Sequence, residues 1–174
     1  IPNLANASPC EIFATLAHDN MLWRLTAQRL LVERGETDIL PELYELVQDL
    51  SMDEIGLNPG AFHALWTLHG LGVLDENAGN RQAVEVALEA LHHPVTAVAR
   101  AALMTLPRTE EVLEHVLAAG FVPDTETYGN MSYTIHPGVL MAADPQLRLA
   151  ALLALAELPS HEKTGYAAAE LLVM

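Results

Sequence analysis

The stretch DNMLWRLTAQRLLVERG, residues 19–35, decides how the whole chain is read. Its apolar residues recur at helical spacing, which predicts a helix from about Asn20 to Arg34. Gly35 supplies the natural left-handed stop. Within that helix Arg24 sits beside Trp23, among side chains that ask to be buried. A guanidinium there serves either a reaction or an architecture, and its recurrence elsewhere in the chain points to architecture.

The frame Trp23-Arg24-x-x-Ala27-x-x-Leu30-Leu31 returns as Ala99-Arg100-x-x-Leu103-x-x-Leu106 and as Leu147-Arg148-x-x-Ala151-x-x-Ala154-Leu155. Phe62-His63-x-x-Trp66-x-x-His69 is a degenerate copy. The anchors at 24, 63, 100 and 148 lie 39, 37 and 48 residues apart. A period near forty with two helices per unit points to HEAT or armadillo-like repeats. The long last interval is expected to hold an irregular insertion at 120–138, GFVPDTETYGNMSYTIHPG, read as a loop. The expected fold is all-α: a HEAT/armadillo-like α-solenoid of about four helical hairpins forming a single domain over 1–174.

Punctuation between helices supports that reading. Ser8-Pro9-Cys10-Glu11 is a capping box with proline at the first helical position, opening a helix to about His18. Helices are predicted from Asp38 to Leu50, with Pro41 tolerable in the first turn, and from Asn58-Pro59 to Gly70. Further helices are expected over 80–92, 94–106, 109–120, 137–143, 145–158 and from 160 to the end. Asp-Pro-x-x-Arg at 144–148 and Asp-Asn-x-x-x-Arg at 19–24 resemble the HEAT signature. In that signature the Asp caps the second helix and the Arg forms a ladder with acids of neighbouring repeats. Asp19, Arg24, His63, Arg100, Asp144 and Arg148 are therefore the expected structural repeat positions.

Composition narrows the function classes. Hydrophobic residues make up 51% of the 174 while aromatics are only 5%, so the core material is Leu, Ala and Val, suited to helix-on-helix packing. With 8 basic against 23 acidic residues the net charge is −15, which repels nucleic acid and anionic lipid. No apolar run is long enough for a membrane helix. The chain starts without Met or a signal peptide and ends in YAAAELLVM, so it is expected to be a segment of a larger protein.

Motifs for chemistry are weak. Cys10 stands alone, excluding an internal disulfide, and the CxxCH haem-attachment motif does not occur. His63 and His69 are six apart, not the four of a helical metal pair, and His92-His93 precedes Pro94 at a helix end, where a cation is favoured. HGLGVLD (69–75) has Asp75 where a dinucleotide loop needs its third glycine. DENAGN (75–80) has its oxygen ligands out of order for calcium, and no serine stands in a GxSxG elbow. Trp23 and Trp66 are expected as core wedges between layers. No catalytic, metal or cofactor residue is assigned.

LWRLTAQRLLVERG (22–35), ALWTLHGLG (64–72) and LRLAALLALAELP (147–159) together resemble the HEAT-like helical region of PVC-type haem-binding, dehydrogenase-like exported bacterial proteins. The similarity covers most of residues 10–106 and 140–174. It implies an extracytoplasmic parent in which a propeller similar to soluble sugar dehydrogenases precedes the repeats and a c-type cytochrome domain follows. This segment would then be a noncatalytic scaffold or docking module whose partners are flanking domains or another protein. The alternative is a free-standing protein- or peptide-binding HEAT domain.

Overall fold

The computed structural model describes residues 2–78, 80–120 and 144–160, and beyond them only 164, 165, 168 and 169. Residues 121–138 of the expected insertion, the helix expected at 137–143 and most of the one expected after 160 lie outside the described residues. All regular structure among the described residues is helical. The elements are α1 (Pro9–Ala14), α2 (Met21–Arg34), α3 (Leu40–Gln48), α4 (Pro59–Gly70), α5 (Arg81–Glu89), α6 (Thr96–Thr105), α7 (Glu110–Gly120) and α8 (Pro145–Glu157). Single 3-10 turns at Thr15–Ala17 and Ala90–His92 extend α1 and α5. Two compact units result, residues 1–107 and 108–174.

The caps explain most boundaries. The Ser8 side chain accepts from the Glu11 N–H while Glu11 accepts from the Ser8 N–H at 2.8 Å, closing the predicted capping box. Hydrogen bonding to Ser8, main chain first, holds the Glu11 carboxyl below its ordinary range. Asn20 caps α2 by accepting from Leu22, and Gly35 ends it at φ 66°. Asn58 caps α4 and Asp144 caps α8. Helix α3 begins later and ends earlier than predicted, with no side-chain cap at Ile39 and Asp49 already extended.

In the first unit, α2 packs against α4 and α4 against α6, so these three form a row. Behind them α1 with its 3-10 turn packs on α2, α3 packs on both α4 and α5, and α5 with its 3-10 turn packs on α6. Leu16, Leu31, Leu43, Leu65, Leu68 and Leu103 fill the space between the layers, each at most 1% exposed. The row is tight: a Cβ on Gly70 would stand 2.6 Å from Val32 Cγ2, so only glycine lets α4 approach α2 there.

The turns that return the chain to the row share one device. His18, Asp49 and His93 follow the helical segments of α1, α3 and α5, and each side chain accepts the N–H two residues on. These bonds measure 2.9, 2.9 and 3.0 Å. An amide nitrogen only donates, so His93 Nδ1 is unprotonated and its Nε2 donates to the Asp49 carbonyl at 3.0 Å. Asn58 Nδ2 donates to the same carbonyl at 2.7 Å. His93 is 5% exposed and hydrogen-bonded on both ring nitrogens.

In the second unit, Thr109 Oγ1 accepts from the Val112 N–H at 3.3 Å and opens α7. Arg108, just before α7, pairs with Glu157 at the end of α8 at 2.9 Å.

Candidate functional site

The distinctive polar cluster of the first unit lies where α2 meets α4. The Arg24 guanidinium donates to the carbonyls of His18 at 2.7 Å and Asp19 at 2.8 Å, while its Nε is buried without a partner. It therefore fastens the turn that leads into its own helix. The resemblance to the HEAT signature implied a carboxylate partner here; the acceptors are main-chain oxygens.

Across the seam, His63 Nδ1 lies 2.7 Å from Gln28 Oε1, with the ring 4% exposed. The amide oxygen accepts only, so a neutral ring donating through Nδ1 satisfies both groups. Burial first, and then the nearby Arg24 charge, lowers the His63 pKa to about 4. The result is an uncharged imidazole wedged between two helices, suited to holding the helices in register.

The burial patterns of the three row helices recur at nearly fixed spacing. The buried positions of α4, Gly60, Ala61, His63, Ala64, Leu65 and Thr67, are matched 38 residues on by Val98, Ala99, Ala101, Ala102, Leu103 and Thr105 in α6. Ala27 and Leu31 of α2 match Ala64 and Leu68 at 37 residues. In that register Arg24 stands with Ala61 and Ala99, while Arg100 stands with Leu25 and Phe62. The sequence anchors 24, 63 and 100 thus fall on three different helical positions. Arg100 is half-buried on the side of α6 where α4 carries Phe62. Asp19 is exposed and leaves the capping of α2 to Asn20. In the second unit Asp144 accepts from the Gln146 and Leu147 N–H groups, as its cap position requires, and Arg148 is half-buried.

A face that the sequence reasoning placed in the core is open. Trp66 is partly exposed, as are Phe62 and Trp23. Phe62 and Trp66 have ring centroids 6.4 Å apart, and His69 meets Trp66 edge-on at 5.8 Å. Leu22 is 65% exposed, Leu25 45% and Met104 51%. In α8 of the second unit, Leu149 and Leu153 are exposed as well.

No family model, curated protein sequence or solved structure matches the chain. Among the described residues no group of three or more His, Cys, Asp or Glu is placed to hold a metal ion, and no helix is long and apolar enough to cross a membrane. Cys10 is exposed in the first turn of α1. What the geometry offers is a closely packed α2–α4 seam and, beside it, a set of exposed and partly exposed apolar side chains.

Proposed function

We propose that this chain is a noncatalytic docking module built as a HEAT-like α-solenoid, in which α1–α2, α3–α4 and α5–α6 are successive hairpins. The observation that carries the reading is the repeated burial frame of α4 and α6, 38 residues apart, on helices that pack side by side. Repeats of this kind bury a continuous core only by stacking, and they leave one long face for partners. The exposed Leu22, Leu25 and Met104 lie on that face and give a partner apolar area to cover.

Native-state hydrogen exchange tests the architecture. In a stack, each hairpin leans only on its neighbours. Leu16→Ala should therefore strip protection from α1 and α2 while α6 keeps its own; uniform loss across the first unit would refute the stack. The parentage implied by the resemblance is part of the same proposal: a sugar-dehydrogenase-like propeller before this module and a c-type cytochrome domain after it, in an exported bacterial protein. Sequencing the complete reading frame tests it. A propeller and a CxxCH motif would support the linker role, and their absence would leave a free-standing protein-binding domain.

A further inference from the structure

Helices α3 and α5 pack on each other behind the row, and a groove of about 300 Å³ opens between their C-terminal ends. The buried Val47, Val86 and Ala90 give it apolar walls, while the exposed Leu50, Glu89 and His92 border it. Two helix ends at which the peptide dipoles leave partial negative charge thus meet at one opening.

The loop that leaves α3 is rooted at the same rim. Its Asp49 carbonyl accepts from His93 Nε2 and Asn58 Nδ2, and His93 also lines the groove. Asp53 Oδ1 accepts the N–H groups of Ile55 at 3.0 Å and Leu57 at 2.8 Å. Fastened in this way, the loop carries Leu50, Met52, Ile55 and Leu57, all exposed. A partner covering them gains apolar area at little ordering cost to the loop.

Cations are scarce on this side of the fold. Residues 35–99 hold eleven Asp or Glu but a single Lys or Arg, Arg81, and Glu85 holds it at 2.8 Å. Glu89 accepts from Gln48 Nε2 at 2.8 Å, a neutral donor that leaves the carboxylate's charge uncompensated. Hydrogen bonds from Ser51, main chain first, hold the Asp49 carboxyl below its ordinary range, so it too is an anion at neutral pH. Glu45 stands one turn before Gln48 on α3.

We propose that this groove and the loop rooted at its rim bind a basic, apolar segment of a partner protein, one arginine of which lays its stem on Val86 and Ala90 and its guanidinium on Glu89. Arginine suits both halves of the site, because its methylenes cover apolar surface and its fork bonds a carboxylate. Apolar residues beside that arginine seat against Leu50 and Met52. Charge excludes nucleic acid, anionic lipid and a second copy of a chain of net charge −15. A small amine fills the groove but leaves the loop's apolar side chains uncovered. This surface lies behind the row, so it goes beyond the docking face of α2, α4 and α6 and stands without it.

The test is a random-peptide display library panned against the intact chain, with the winning peptides labelled and titrated by fluorescence anisotropy. Winners carrying arginine beside Leu, Ile, Met or Phe are expected. Glu89→Gln should weaken them about tenfold, the loss of one charge-assisted bond. Its new amide oxygen still accepts from Gln48, and an unchanged melting temperature verifies that the helix pair is intact. Leu50→Ala removes apolar area without touching charge and should weaken them about fivefold. Leu22→Ala on the row should leave affinity as it was. Winners without basic residues, basic winners indifferent to Glu89→Gln, or a library that enriches nothing would each overturn the proposal. Peptides weakened by Leu22→Ala and not by Leu50→Ala would overturn it while leaving the docking face of the row standing. Self-association of the chain lost in Leu50→Ala would show that a second copy covers the loop, and would also overturn it.

Discussion

Lowering the pH should loosen the seam between α2 and α4 through one side chain. His63 is 4% exposed, its Nδ1 is 2.7 Å from Gln28 Oε1, and its pKa is held at about 4 against an ordinary 6.5. The unfolded chain takes up this proton near pH 6.5 and the folded chain only near pH 4. Between those values the unfolded state binds more protons, so stability falls as pH falls. The gap of about 2.5 units corresponds to about 3 kcal/mol, an upper figure reached at pH 4 and absent above the ordinary range. His63→Asn keeps an N–H donor of similar reach toward Gln28 and removes the titration. Urea unfolding of both proteins at pH 7 and near pH 4 cancels the carboxylates they share. The stability advantage of the native protein over the variant should shrink by up to about 3 kcal/mol on acidification. An advantage that stays constant, or an NMR titration of the ring near 6.5, would refute the buried neutral imidazole.

Two substitutions probe the packing and the turns. Gly70→Ala should cost about 1–3 kcal/mol in urea unfolding because its Cβ meets Val32 Cγ2 at 2.6 Å, and Val32→Ala in the same chain should recover most of the loss. Asn58→Ala removes the α4 cap and two donor bonds, to the carbonyls of Asp49 and Ser51, from a side chain only 7% exposed; it should lower stability by about 2–3 kcal/mol, read as a drop in the denaturation midpoint.

The helices were legible where the sequence carries local chemistry. Ser8 with Glu11, Asn58, Gly35 and Asp144 are side chains or backbones that satisfy a helix end within a few residues, so their meaning does not depend on distant contacts. The exposed face was not legible. Helix α4, PGAFHALWTLHG, has no charged residue at all, so no polar stripe marks its outside and Trp66 reads as core. Burial of its neighbours, which depends on residues 38 positions away, reveals the open side. The arginine register failed for a related reason. Arg24 can reach main-chain carbonyls of the preceding turn, and Arg100 can lie a position further round its helix, while both keep the same neighbours in sequence. The turn-fastening role of His93 was not legible because its two hydrogen-bond partners, the Val95 N–H and the Asp49 carbonyl, include one 44 residues away.

The packing of α2 on α4 is the contact on which the proposed hairpin array depends. A Cβ at Gly70 would lie 3.5 Å from Val32 Cβ, within the span a disulfide bridges. The direct measurement is oxidation of the Val32→Cys, Gly70→Cys double variant, carrying Cys10→Ser, while the protein is folded. The bond should close under mild oxidant and, by cross-linking a loop of nearly forty residues, stabilise the fold by about 3–4 kcal/mol. Two free thiols persisting in a folded, oxidised sample would contradict the stack.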